Sequence, residues 1–379
     1  MRLLFVSNGH GEDTIGAVLA QALRPLGYAP VAVPLVGRGE AYEKAGFPVL
    51  GPRKEMPSGG FAARNPAHLW ADLRAGWLSM SLEHYQAVRQ AAKEAVATIV
   101  VGDVYALGVG VIFGGEPLFL LQCQSSVRAW DGHGRPYSVT ERLLMRRAVQ
   151  VYPREPEAAD WLRQAGLTNV CYLGNPMLDA PAEGPVGVKP PYLLLLPGSR
   201  ADFYHSLPKM LEAVRRLGKS GLTPVVAWAG LPLASLQLED WALEPGQEPP
   251  SLRHREGHRV YLVQGAFKTL LQGAKAALST SGTAAEQAAG YGVPLVGFPT
   301  PGPQYTLAFA QKQKRLLGEA LHLVTPEPGA IVAALRAVLN DEARQQARAA
   351  GRAAMGEPGA AWRIAQDIHH RLSSLGPSR

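Results

Sequence analysis

Tyr192–Arg200 reads YLLLLPGSR, and this stretch decides the fold. A tyrosine and four leucines with no polar residue between them fit a strand buried on both faces of a parallel sheet. Pro197 and Gly198 stop the strand abruptly, leaving Ser199 and Arg200 at its carboxyl end, where open α/β sheets bind ligands. The glycine lets backbone approach a ligand closely, the serine offers a hydroxyl and a free N–H, and the arginine offers a planar fork for phosphate oxygens. The same residues would also serve an ordinary strand-to-helix turn.

The pattern extends in both directions. Upstream, Leu3–Ser7 is a strand followed by a polar, glycine-rich turn, SNGHGED, and a helix that Asp13 or Thr14 can cap and Gly27 ends. Further strands are expected at Ala29–Leu35, near Pro48–Leu50, at Thr98–Val101, Pro117–Gln122, Val149–Tyr152 and Val170–Leu173. Between them, Asn65-Pro66 opens a helix that sets Leu69, Trp70, Leu73, Trp77 and Leu78 on one face. That face suits either the core or, with Phe61, Arg64 and Arg74 nearby, a lipid surface. The proline-rich run Asp179–Pro191 reads as a linker.

Downstream, the grammar repeats. A helix near Ser206–Leu217 precedes a strand at Pro224–Ala229. A loop at Leu231–His258 leads to strand Val260–Val263, helix Ala266–Gln272 and strand Ala276–Ser279. TSGTAAEQ then opens a helix, Val293–Gly297 is a strand, and helices fill the rest. Two doubly wound α/β domains follow, 1–178 and 192–355, with 356–379 a final helix able to pack back on the first domain. Such domains, facing across a cleft, would set the Ser7–Asp13 turn and Asp103 on one wall and Gly198–Arg200 and Ser281–Glu286 on the other.

Composition narrows the partners. In 379 residues, charged side chains make up 18% and the net charge is +7, which favours an anionic partner. No interleaved basic and aromatic motif points to nucleic acid. Cys123 and Cys171 lie in apolar stretches without metal spacing, as in a reduced, cytoplasmic protein. No apolar span reaches membrane-crossing length, and no leader is expected because Met1–Ser7 already reads as a strand.

Several residues carry candidate chemistry. Thr280-Ser281-Gly282-Thr283 sets small hydroxyl residues and a glycine at a helix start, where free N–H groups favour phosphate. With Gly198–Arg200 it makes two strand-led anion cradles in one domain, as a nucleoside diphosphate would need. Asp103, at a strand tip, is either a helix cap or a site carboxylate.

The order LLPGSR, then ALSTSGTAAEQAAGYGVPLVGFP, resembles the lipid-A-disaccharide synthase family. GNPMLD at Gly174–Asp179, SSVRAW at Ser125–Trp130, the Gly102-Asp103 pair and DTIGA at Asp13–Ala17 extend the likeness over most of the chain. The resemblance implies the glycosyltransferase-B fold and an inverting, metal-independent hexosyltransferase with a UDP-sugar, such as UDP-N-acetylglucosamine, as co-substrate. It implies no other cofactor. Its acceptor would be a lipid-linked or glycolipid molecule, with the enzyme peripheral on the inner face of a membrane. Absence of any Asp-x-Asp motif agrees with metal independence. Gly198, Ser199, Arg200, Ser281, Gly282 and Thr283 would hold the diphosphate, Glu286 or Gln287 the ribose, and Gln304 the sugar hydroxyls. Gly9, Gly11 and Asp13 belong to the acceptor loop, where the family usually carries an acid and a serine in place of the two glycines. His10 also resembles the first-loop histidine that deprotonates the acceptor in other transferases of this fold, with Asp103 placed to hold it. Alternatively, Asp103 is itself the base. A UDP-sugar epimerase or hydrolase, or a non-catalytic nucleotide-sugar binder, would share the same architecture. Phe309, Leu316 and Leu317 read as core.

Overall fold

A computed structural model of the protein describes residues 1–53, 77–180, 184–198, 201–233, 238, 240–244, 246 and 248–375. Ser199, Arg200 and the apolar face from Leu69 to Leu73, with Phe61, Arg64 and Arg74, lie outside the described residues. The chain divides into two compact units. One holds Met1–Val127, Gly132–Ala180 and Pro358–Arg379; the other holds Arg128–Asp131 and Pro181–Glu357. Both are α/β units, the first with a parallel sheet and the second with a sheet that is parallel except at one edge.

In the amino-terminal unit, β1 (Arg2–Ser7), β2 (Ala29–Pro34), β3 (Ala97–Gly102), β4 (Leu118–Gln122) and β5 (Gln150–Pro153) form one sheet in the order β2-β1-β3-β4-β5. All four pairings are parallel. Every residue of β3 and β4 is buried, because helices cover both faces and leave no place for alternating polar side chains. The segments near Pro48–Leu50 and Val170–Leu173, expected as strands, contribute only the single bridges Ala32–Val49 and Val151–Val170. Helix α1 (His10–Leu23) follows β1, passes into a 3-10 turn at Arg24–Leu26 and ends at Gly27. Next come α2 (Glu40–Lys44), α3 (Trp77–Ala92), α4 (Val104–Phe113), α5 (Val139–Met145) and α6 (Pro156–Gln164). The carboxy-terminal helix, Ala360–Leu375, belongs to this unit. Its Ile364, Ala365 and Ile368 share a core with Leu3, Phe5, Leu19 and Phe119, and Asp367 accepts a 2.7 Å hydrogen bond from the Tyr152 hydroxyl.

The carboxy-terminal unit has an eight-stranded sheet. Its strands are β6 (Tyr192–Leu196), β7 (Thr223–Ala227), β8 (Trp241–Glu244), β9 (Ser251–His254), β10 (Arg259–Val263), β11 (Ala274–Ser279), β12 (Leu295–Gly297) and β13 (Leu321–Leu323). They run in the order β13-β12-β11-β6-β7-β10-β9-β8. All five residues of β6 are buried at its centre. The segment read as a loop, Leu231–His258, instead contains β8 and β9, which pair antiparallel and extend the sheet edge. Where only helices were expected after Val293–Gly297, β13 adds a further parallel strand on β12.

Helices α7 (Phe203–Leu217), α8 (Phe267–Gly273), α9 (Thr283–Gly290), α10 (Leu307–Leu317), α11 (Pro328–Val338) and α12 (Asp341–Met355) flank this sheet. Among the described residues, no helix is long and apolar enough to cross a membrane.

Helix α12 seats α9, and the contact depends on the absence of a side chain. A Cβ on Gly351 would lie 2.0 Å from the Ala289 carbonyl oxygen. Gly→Ala inside a helix ordinarily stabilises by roughly 0.5–1 kcal/mol. Here overpacking against backbone wins, and Gly351→Ala is expected to destabilise by about 1–3 kcal/mol. Denaturant unfolding checks the sign; a gain in stability would show that α9 and α12 do not meet in this way.

Candidate functional site

In the amino-terminal unit, β1 and β3 lie side by side while their connections leave in opposite directions. The crevice between their carboxyl ends is therefore the switch point where open sheets accept ligands. Asn8 follows β1 and Asp103 follows β3, and a hydrogen bond from Asn8 Nδ2 to Asp103 Oδ1 (2.7 Å) spans that crevice. The same Oδ1 accepts from the backbone N–H groups of Tyr105 (2.9 Å) and Ala106 (3.3 Å). Asp103 is thus the cap of α4, and it stands at the switch point. Asn8 approaches so closely that a Cβ on Gly102 would stand 1.9 Å from its Oδ1. Gly102 also has φ of 151°, so only glycine fits there.

His10 opens α1 and is exposed. Its ring stands against Gly37, where a Cβ would lie 2.7 Å from Cε1. No hydrogen bond joins His10 to Asp103; the carboxylate expected to hold the imidazole holds the Asn8 amide instead. The reason is local. Asn8 sits directly at the strand tip, whereas the helix has already begun at His10 and turns its side chain outward.

The expected cap at Asp13 or Thr14 also differs. Gly9 is the N-cap residue, without a side-chain cap, so Asp13 falls in the first turn on the inner face of α1. There it is 1% exposed. Its Oδ1 accepts from Ser7 Oγ at 2.5 Å, and Ser7 Oγ accepts from the fully buried Tyr42 hydroxyl at 3.2 Å. Its Oδ2 is buried without a partner among the described residues. Burial pushes the carboxyl up from its ordinary 3.8 to about 7, with the Glu12 charge adding to the rise and the Ser7 hydrogen bond opposing it. Gly9 and Gly11 complete the loop; a Cβ on Gly9 would collide with the Glu12 carboxylate, while Gly11 has open space.

The carboxy-terminal unit repeats the arrangement. Its switch point lies between β6 and β11, since β6 leads to β7 on one side while β11 pairs on the other. Gly198, with φ of 86°, follows β6. Thr280–Gly282 follows β11, and a Cβ on Gly198 would be 3.9 Å from the Thr280 carbonyl oxygen. Gly198 and the turn after β11 are therefore neighbours. Ser281 N donates to Ser279 Oγ at 3.2 Å. Gly282 is the N-cap residue of α9 without a side-chain cap, which leaves first-turn N–H groups for solvent or a ligand. Thr283 is exposed there, and Glu286 and Gln287 are half-buried on the same helix. Gln304 is exposed on the loop that ends at α10. Leu316 and Leu317 are buried as expected. Phe309 is not core: it is 38% exposed and lies over Gly282, with Cζ 3.1 Å from a Cβ built there.

Sequence reasoning missed Asn8, Tyr42, Asp202 and Gln313. The last two are each 3% exposed. Their polarity beside PGSR and within the QKQ run was the only available signal. A separate groove of about 610 Å³ lies at the amino ends of the first unit's strands. Met1, Tyr28, Val96, Pro117, Leu118 and Leu372 are among its lining residues, and no predicted site residue is.

No protein-family profile and no curated sequence matches the chain. Solved structures do. A Listeria monocytogenes protein assigned as a UDP-N-acetylglucosamine 2-epimerase is 16% identical, with a TM-score of 0.63, over 98% of this chain and 97% of that one. The calicheamicin glycosyltransferase CalG4 is 18% identical at a TM-score of 0.63, over 99% of both chains. The Neisseria meningitidis UDP-N-acetylglucosamine 2-epimerase, solved with UDP-N-acetylglucosamine, is 12% identical at 0.58, over 99% of this chain and all of its own. The fold is that of the glycosyltransferase-B enzymes. At these identities the likeness concerns the fold, and the chemistry has to be argued from the residues.

The buried Asp13 generates a prediction. The folded carboxyl binds its proton more tightly than the unfolded one. Its effect on stability is therefore neutral below the unfolded pKa near 4, and stability falls as pH rises towards 7. The loss is on the order of 2–4 kcal/mol. Asp13→Asn, which mimics the protonated acid, should be close to neutral at pH 4 and stabilising at pH 8. Melting curves across that range check this, and parallel curves for the two proteins would refute it.

Proposed function

We propose that the chain is a UDP-sugar enzyme of the glycosyltransferase-B fold. More specifically, we read it as an inverting, metal-independent glycosyltransferase related to lipid-A-disaccharide synthase. It moves a hexose or N-acetylhexosamine from UDP to a lipid-linked or glycolipid acceptor at the inner face of a membrane. One observation carries the reading: in each unit the glycine-bearing turns picked out in the sequence flank the switch point of the sheet, where ligand sites of this sheet type lie.

In this reading the carboxy-terminal unit binds the donor. N–H groups opening α9 and the backbone at Gly198 receive the diphosphate, with Ser199 and Arg200 adding a hydroxyl and a cation. Glu286 or Gln287 takes the ribose and Gln304 the sugar hydroxyls. The amino-terminal unit supplies the base. His10 removes the acceptor proton as the acceptor oxygen attacks the anomeric carbon. The bond from that carbon to the β-phosphate oxygen breaks, inverting the centre, and UDP departs with its new charge matched by the amides and Arg200. Asp103, fixed by Asn8 and the start of α4, is either the electrostatic partner of that proton transfer or the base itself.

A second reading is favoured by the UDP-N-acetylglucosamine 2-epimerases among the structural neighbours. It places the same donor site in an enzyme that needs no acceptor.

UDP at a hundred times its Kd should stabilise the protein by about 2.7 kcal/mol, seen as a raised melting temperature. Silence from every uridine nucleotide would overturn both readings. UDP-N-acetylglucosamine alone should remain unchanged, whereas adding a bacterial lipid extract should yield a glycosylated lipid by mass spectrometry; conversion without acceptor would favour the epimerase. His10→Ala should lower transfer roughly 10²–10⁴-fold with UDP affinity unchanged. Undiminished turnover would remove His10 as the base.

A further inference from the structure

Three segments meet near the carboxyl edge of the second sheet: the start of α7 at Asp202, the turn after β11, and the segment from Thr300 to Thr306 before α10. They are tied together by polar groups that are nearly all buried. Asp202 is the N-cap residue of α7, yet its side chain makes no capping bond to its own helix. The carboxylate turns to the third loop instead. It accepts from Tyr305 N (2.6 Å), Gln304 N (3.2 Å) and Thr300 Oγ1 (2.7 Å). Tyr305 then donates its hydroxyl to Gln313 Oε1 at 2.6 Å. Gln313 Nε2 donates to the carbonyls of Ser281 (3.2 Å) and Gly282 (3.0 Å), in the second loop. Thr280 Oγ1 donates to Ser206 Oγ at 2.7 Å, and Ser206 Oγ to the Asp202 carbonyl at 2.8 Å. The chain of contacts has returned to its starting residue.

This is a closed ring. Ser206 is fully buried, Asp202, Thr280 and Gln313 are each 3% exposed, and Tyr305 is 1% exposed. Buried polar groups without water are costly unless each is matched, so displacing one loop unsatisfies partners in the next. A ring of this kind sets the loops as one object.

Resting on the donor-site reading above, we propose that Asp202 and Gln313 are positioning residues for the donor. They need not touch it. Asp202 fixes the backbone from which Gln304 projects, and Gln313 fixes the two carbonyls that aim the N–H groups opening α9. Site geometry held before binding spares the ligand the ordering of those loops. The two residues then have separable signatures. Gln313 acts on the diphosphate turn and so on UDP itself, whereas Asp202 reaches that turn only around the ring.

The test uses the full chain, with UDP as the calorimetric ligand and amide hydrogen exchange as a readout that needs no ligand. Gln313→Glu keeps the shape but replaces two donors with an oxygen facing two carbonyls. It should weaken UDP binding about ten-fold or more. Tyr305→Phe, which removes one hydroxyl from the ring and preserves packing, should weaken it several-fold and covers the case in which Gln313→Glu does not fold. Asp202→Asn should speed exchange not only at Gln304 and Tyr305 but also at the amides of residues 281–284. Faster exchange confined to residues 300–305 would break the ring as an idea. UDP affinity unchanged in both Gln313→Glu and Tyr305→Phe would overturn the positioning role. If the unaltered chain ignores UDP, the donor-site reading itself fails, and the exchange pattern still reports whether the loops are coupled.

Discussion

A carboxylate taken out of water must find donors to replace the hydration it has lost. At Asp202 three donors do this, and all of them come from one loop that is 98 to 103 residues away in sequence. The geometry of the second unit's carboxyl edge follows from that requirement. The loop before α10 cannot leave Asp202 without stranding the charge, and Tyr305 cannot shift without losing Gln313. Gln313 in turn stabilises the turn that starts α9. The sheet supplies the position of each loop, since Ser279 pairs with Leu196 and Gly297; the polar ring supplies their mutual orientation.

The amino-terminal unit solves a related problem with fewer parts. Two loops flank its switch point, and a hydrogen bond from Asn8 to Asp103 joins them. Beneath them, Ser7, Asp13 and Tyr42 make a second buried polar group whose carboxyl has only one of its oxygens matched. Burial raises the pKa of that carboxyl, with the Ser7 hydrogen bond opposing the rise, and this couples the foot of the His10 loop to pH. The two units therefore share a topology of loops at the switch point while differing in how firmly those loops are braced.

Much of this architecture was legible in the residues. Strands such as Leu193–Leu196 announce themselves because a strand covered on both faces has no use for polar side chains. The turns at Gly198 and Gly282 were legible because glycine and small hydroxyl residues after such a strand have few other uses. Short edge elements were not. The hairpin of Trp241–Glu244 and Ser251–His254 is only partly buried and sits in a polar, proline-bearing stretch, and three-residue Leu321–Leu323 is too brief to show a period. The cap expected at Asp13 or Thr14 lies instead at Gly9, because a helix start is ambiguous where several small and acidic residues follow one another. The bracing ring was invisible for a different reason. Each member is an ordinary polar residue in its own segment, and only tertiary pairing, across as many as 103 residues, reveals what it does.

The central claim is that buried polar contacts hold the donor loops in a binding arrangement before any donor arrives. Crystal structures of the protein with and without UDP test it most directly. The account predicts the diphosphate beside Gly198 and the amides that open Thr283–Gly290, with the contacts of Asp202, Tyr305, Gln313, Thr280 and Ser206 unchanged between the two states. A diphosphate bound elsewhere, or a ring that forms only once UDP is present, would contradict it.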